Sequence, residues 1–105
     1  MVIEHLSITV QPELRETFVQ ADEEIWTPIL ARYPGFLGKE VWISPDDLSK
    51  VVLIVRWNSF EEWQAIPQEV LDATEAHFQQ AMGADTYTLQ DSQRFQVRRF
   101  LQSPG

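Results

Sequence analysis

The chain contains no cysteine and only two histidines, His5 and His77. Disulfides, thiolate nucleophiles, iron–sulfur clusters and cysteine zinc sites are thereby excluded, as are metal sites built from several histidines. Glycine is scarce: four residues leave no Gly-x-Gly-x-x-Gly, no phosphate-binding loop and no Gly-x-Ser-x-Gly elbow. Cations are few, eight Lys and Arg against sixteen Asp and Glu, for a net charge of −8. Such a chain cannot displace phosphate counterions and is repelled by anionic lipid, so neither nucleic acid nor a membrane surface is an expected partner. The longest apolar run, Val51 to Val55, falls far short of the roughly 20 residues that span a bilayer. No basic segment followed by an apolar core opens the sequence, and a cytoplasmic location is expected.

What is present is apolar and aromatic. Of 105 residues 44% are hydrophobic, with six Phe, four Trp and two Tyr, a composition that folds rather than one that stays disordered. The length suits a single domain over residues 1–105. Ile3 to Val10 alternates Leu6, Ile8 and Val10 with His5, Ser7 and Thr9, the period of a strand. From Pro12 to Tyr33, Leu14, Phe18, Ile25 and Ile29 recur at helical spacing. Pro28 lies inside that pattern, where its ring crowds the carbonyl of Glu24, so a kink or break is expected over residues 24–28. Tyr33-Pro34-Gly35-Phe36 stops the helix, and Leu37 to Ser44 and Lys50 to Trp57 read as a hairpin about Ser44-Pro45-Asp46-Asp47.

Ser59 with Glu62 forms a capping box for a short helix bearing Phe60 and Trp63, which Pro67 ends. The next helix runs from Pro67 to Met82. At about 100° per residue it collects Val70, Leu71, Thr74, His77, Phe78, Ala81 and Met82 on one arc, opposite Asp72, Glu75 and Gln79. Gly83 is its expected stop. Thr86 to Leu89 and Phe95 to Leu101 both have strand character; the last sheet strand is assigned to the second, the first being an extended loop or part of a bulged strand.

The order βαββαβ is that of a ferredoxin-like α+β sandwich, an antiparallel sheet with helices on one face. Yet the third strand is apolar on both sides: Val51, Leu53, Val55 and Trp57 point one way, Val52 and Ile54 the other, with Arg56 the exception. The uncovered face would be a larger apolar patch than soluble monomers carry, and a homodimer packed through the sheet face is expected to cover it. The charge is unevenly placed. Residues 1–93 hold all sixteen acids and five cations, whereas Arg94, Arg98 and Arg99 close the chain with none of the acids. A basic last strand against acidic helix or partner surface would offset the repulsion between two such subunits.

Two motifs, Pro34-Gly35-Phe36-Leu37-Gly38-Lys39-Glu40-Val41-Trp42 and Arg56-Trp57-Asn58-Ser59-Phe60-Glu61-Glu62-Trp63, resemble the antibiotic-biosynthesis-monooxygenase-like group of dimeric α/β barrels. With Ile66-Pro67-Gln68-Glu69 added, the match is to a small uncharacterised family known mainly from cyanobacteria, and it covers nearly the whole chain. The resemblance implies the ferredoxin-like fold, a homodimer, and an apolar pocket between sheet and helices. Three functions follow from it: a cofactor-independent monooxygenase acting on a small aromatic compound; a non-catalytic module that binds a small hydrophobic ligand or only dimerises; and a haem-binding or haem-degrading protein. The haem-degrading members resemble this chain at Trp63. His5 stands where they have a strand Asn, and Ala73 stands at the position of their ligand histidine, with His77 one turn later. No cofactor is therefore expected.

His77, on the edge of the apolar arc with an ordinary pKa near 6.5, and Trp63 are the candidate catalytic residues. His5, Trp26, Trp57 and Phe78 are the candidate pocket walls, the indoles offering N–H donors. Each has a plainer reading: a boundary histidine, a dimer-seam histidine, or core aromatics. Arg56 is expected to pair with a carboxylate, and Asn58 to shape a turn. Asp22-Glu23-Glu24, Asp46-Asp47 and Glu61-Glu62 lack calcium-loop spacing and read as solvated faces.

Overall fold

The computed structural model describes residues 1–103. Four strands, β1 (Val2–Val10), β2 (Phe36–Ile43), β3 (Lys50–Trp57) and β4 (Tyr87–Gln96), form one antiparallel sheet in the order β2-β3-β1-β4. Helices α1 (Arg15–Ala21), α2 (Thr27–Leu30), α3 (Phe60–Gln64) and α4 (Gln68–Met82) complete the ferredoxin-like order expected from the sequence. Val2, Leu6, Ile8 and Val10 of β1 and Val51, Leu53, Val55 and Trp57 of β3 pack against the helices. Phe18, Phe78 and Tyr87 interlock edge to face at centroid distances of 5.1 to 5.6 Å, pinning α1, α4 and β4 together.

Between α1 and α2 the helix widens into a π-helical turn, Asp22–Trp26, the irregularity that Pro28 announces. The Thr27 N–H reaches back five residues to the Asp22 carbonyl, which also accepts from Thr27 Oγ1 at 3.3 Å. A proline that cannot donate to residue 24 is thus preceded by a turn in which that bond is not needed.

The β2–β3 hairpin closes as its residues dictate. Ser44 Oγ accepts from the amides of Asp46 and Asp47, Asp47 Oδ1 accepts from Ser49, and Arg15 donates to the carbonyls of Ser44 and Asp47, tying the first helix to the turn. At α3 the Ser59 hydroxyl accepts from the Glu62 amide at 3.1 Å, while Ser59 Oγ and Asn58 Nδ2 donate to Glu62 Oε1. The Ser59 half of the capping box therefore forms, with the Glu62 carboxylate accepting from the Ser59 hydroxyl and the Asn58 amide, and Asn58 shapes the turn.

Two expectations change. The last strand is not residues 95–101: it begins at Tyr87, runs through the polar residues 90–94 and ends at Gln96. A bulge opposite Ser7 and Ile8 lets Gln90 drop out of register. An edge strand exposed along most of its length has no reason to be apolar, so polarity did not mark a loop. Arg98 and Arg99 lie beyond the strand and are exposed, while the Arg94 guanidinium stacks over the Phe60 ring at 5.1 Å. Second, the arc of α4 is rotated: Thr74, Phe78 and Met82 are buried, Leu71 and Glu75 are half-buried, and His77 and Ala81 face out. Centring the arc on Phe78 moves Glu75 inward and His77 outward.

Gly35 joins the helical layer to β2 at φ +94°, and a Cβ there would lie 2.6 Å from the Glu62 Cβ. Gly35→Ala is expected to lower unfolding stability by about 1–3 kcal/mol. Urea denaturation should show a lower midpoint with an unchanged slope.

Candidate functional site

Between the inner sheet face and the helices lies a cavity of about 320 Å³. Leu6, Ile8, Leu53 and Val55 of the sheet form its floor, and Phe18, Leu30, Leu71 and Phe78 of the helices its roof. Two indoles, Trp26 from the π-helical turn and Trp63 from α3, add aromatic wall. Such an enclosure suits a small ring-containing molecule.

Two of the polar groups in this wall stand on strand positions whose parity is otherwise apolar. Lys39 on β2 and Glu4 on β1 are both paired with Val55 of β3, so the three share one row across the inner face. Lys39 Nζ meets the two carboxylate oxygens of Asp22 at 2.7 and 2.8 Å and Thr27 Oγ1 at 3.3 Å. Both members of this ion pair are buried, with side-chain exposures of 5% and 1%. Burial pushes the Asp22 carboxyl above the ordinary carboxylate range, and the Lys39 ammonium opposes the rise.

Glu4 is raised likewise by burial, opposed by the Trp57 indole, whose Nε1 lies 3.5 Å from Glu4 Oε1, and by Lys39. On α4, Glu75 accepts from the Tyr87 hydroxyl at 2.9 Å. Burial pushes the Glu75 carboxyl up, with hydrogen bonds from Tyr87 and Trp26 opposing. The Tyr87 phenol is pushed well above its ordinary value by burial and then by Glu75, and stays a donor.

Of the residues expected at the site, Trp63, Trp26 and Phe78 line the cavity. Trp57 is fully buried behind the wall and reaches the site only through Glu4. His77 is exposed on the outer side of α4 and does not touch the cavity. His5 points to the opposite side of the sheet, in register with Ile54 and Gln93 and edge-on to Phe95 at 6.1 Å; strand alternation that turns Glu4 and Leu6 inward turns His5 outward. A haem ligated by histidine does not fit this cavity, because neither imidazole reaches it and its tyrosine is held protonated against Glu75. Arg56 pairs with Glu40 at 3.3 Å on the outer face, as a structural salt bridge.

The groups that sequence reasoning missed are Glu4, Asp22, Lys39, Glu75 and Tyr87. Glu4 and Lys39 carried a readable signal, since each interrupts the apolar parity of its strand. Asp22 did not: among neighbouring acids only the π-helical turn singles it out.

A sequence profile of the antibiotic biosynthesis monooxygenase family matches residues 1–86, and the chain belongs to that family. No curated protein sequence matches it. Among solved structures it is similar to SnoaB, a cofactor-independent oxygenase from Streptomyces nogalater, at 20% identity over 97% of both chains with a TM-score of 0.71. It is also similar to a monooxygenase from the ActVA-Orf6 gene of Streptomyces coelicolor in complex with nanaomycin D, at 16% identity over 97% of this chain and 91% of that one, TM-score 0.70. A dimeric ferredoxin-like protein from an uncultured marine organism aligns at 14% identity over 97% and 92%, TM-score 0.66. At these identities the likeness is one of fold. Among the described residues, no helix is long and apolar enough to cross a membrane.

Folding raises the Glu4 carboxyl above its ordinary 4.5, so the folded chain holds that proton more tightly than the unfolded one. The linked stability is present below 4.5 and is lost as pH rises through the raised value. Glu4→Gln should therefore gain melting temperature over the native chain at pH above neutral and gain little at pH below the ordinary carboxylate value. Paired thermal melts check the sign.

Proposed function

We propose that this protein is a cofactor-independent monooxygenase acting on a small aromatic compound held in the cavity. The observation that carries the reading is an apolar enclosure of about 320 Å³, walled by Trp26 and Trp63 and supplied with buried carboxyls. Oxygenation of an aromatic without a cofactor requires a substrate made electron-rich by loss of a proton. Glu4 and Glu75, whose pKa values burial raises, are placed in the wall to accept one. The fold of oxygenases such as SnoaB supports the same reading.

A second reading, a non-catalytic module that binds a small hydrophobic ligand, is favoured by the absence of either histidine from the cavity wall. Oxygen uptake with a panel of phenols and quinols separates the two. Substrate-dependent uptake is expected, lowered about tenfold by Trp63→Phe through loss of aromatic wall and unchanged by His77→Ala. Binding of the panel with no uptake assigns the module instead.

In this reading the protein works as a cytoplasmic homodimer, and within its family belongs with the small group known mainly from cyanobacteria. The outer sheet face supports the dimer: Trp42 is 50% and Phe95 48% exposed, with Ile54 and His5 between their strands. Sedimentation at micromolar concentration should return about twice the 12.2 kDa chain mass. Trp42→Glu should shift it toward the monomer, and raised ionic strength should weaken the association if the terminal arginines contribute.

A further inference from the structure

The charged groups around the cavity are unequally committed. Among the described residues Lys39 is the only cation in the wall. An ammonium has three donors; Lys39 gives hydrogen bonds to Asp22 Oδ1 and Thr27 Oγ1 and holds Asp22 Oδ2 at 2.7 Å as an ion pair. It cannot turn to an entering anion without breaking a buried ion pair, which is costly because a bare charge is left behind. Glu4 and Glu75 stand differently. Glu4 receives a hydrogen bond from Trp57, and Glu75 receives one from Tyr87 and one from Trp26, while a carboxylate offers about four acceptor sites. Against the open acceptor sites of these two carboxyls, the further donors in the wall are the Trp63 indole N–H and the Ser92 hydroxyl, so acceptors outnumber donors inside an apolar wall.

From this imbalance we propose that the cavity selects aromatic ligands that donate hydrogen bonds, uncharged or cationic, and rejects aromatic carboxylates, with Glu4 as the principal specificity-determining residue and Glu75 its second. The inference rests on the reading of the cavity as a ligand site. A hydroxyl or ammonium on the ring satisfies Glu4 without disturbing Lys39. A carboxylate of the same shape would face two other carboxyl groups in a low-dielectric space and would enter only with uptake of a proton.

Isothermal titration calorimetry near neutral pH with three probes of one shape tests this: 2-naphthol, 2-naphthylmethylamine and 2-naphthoate. The naphthol and the amine are expected to bind the native protein at least about tenfold more tightly than the naphthoate. Glu4→Gln should narrow that gap, and Glu75→Gln should narrow it less. Naphthoate binding as tightly as the naphthol overturns the proposal, as does a gap that neither variant changes. If no probe binds the native protein, the ligand-site reading itself fails and takes this inference with it, an outcome distinct from binding without selectivity.

Discussion

The Asp22–Lys39 ion pair is the constraint on which the interior depends. It joins the π-helical turn to an edge strand across the apolar layer, with side-chain exposures of only 1% and 5%. Two charges taken so far from water are tolerable only while they satisfy each other, so the turn and the strand must keep one relative placement. That placement positions Trp26, which closes the π-helical turn, and Val55, which separates Lys39 from Glu4 along the row. An interior of Phe, Val and Leu alone would pack in many nearly equivalent ways. A buried pair admits few of them, and an open space bounded by fixed walls becomes possible.

Proline and glycine play complementary parts in that arrangement. Pro28 removes a donor and makes the widened turn compatible with the chain; Gly35 supplies the left-handed backbone by which the helical layer returns to the sheet, under the Glu62 side chain. Neither residue touches a ligand. Both determine where Asp22, Trp26 and Trp63 stand, so the chemistry of the site is set by backbone irregularities on either side of α2.

Strand alternation, capping chemistry and the doubly apolar β3 make the fold legible in the sequence, because each rests on local pattern. Trp63, Trp26 and Phe78 were legible as cavity walls for the same reason. The polar half is legible only in part: Glu4 and Lys39 each place a charge on the apolar parity of a strand, whereas Glu75 and Asp22 carry no such mark. The arc of α4 read from Val70 to Met82 admits more than one centre, and a rotation of about a third of a residue's turn exchanges His77 for Glu75. On β1 the rare histidine, His5, lies on the outward parity, whereas the informative residue is its neighbour Glu4, a charge on the apolar parity. Asp22 became distinct only through a helical turn of unusual width, which no local pattern specifies beyond the presence of a later proline.

The bulge at Gln90 has a meaning larger than its size. Tyr87 and Leu89 precede it, Ser92 and Arg94 follow it, and all four fall opposite the inward residues of β1 although their spacing in sequence breaks the two-residue rule. One extra residue therefore works as a phase correction between two half-strands, each with its own alternation. Tyr87 holds Glu75 from the first half; Ser92 lines the cavity from the second. In a lineage of such proteins, gain or loss of a single residue here would leave a strand at the sheet edge yet exchange inside for outside along half of it. This turn of the chain is thus a place where a cavity's chemistry can be rewritten at one stroke, with no substitution in its walls.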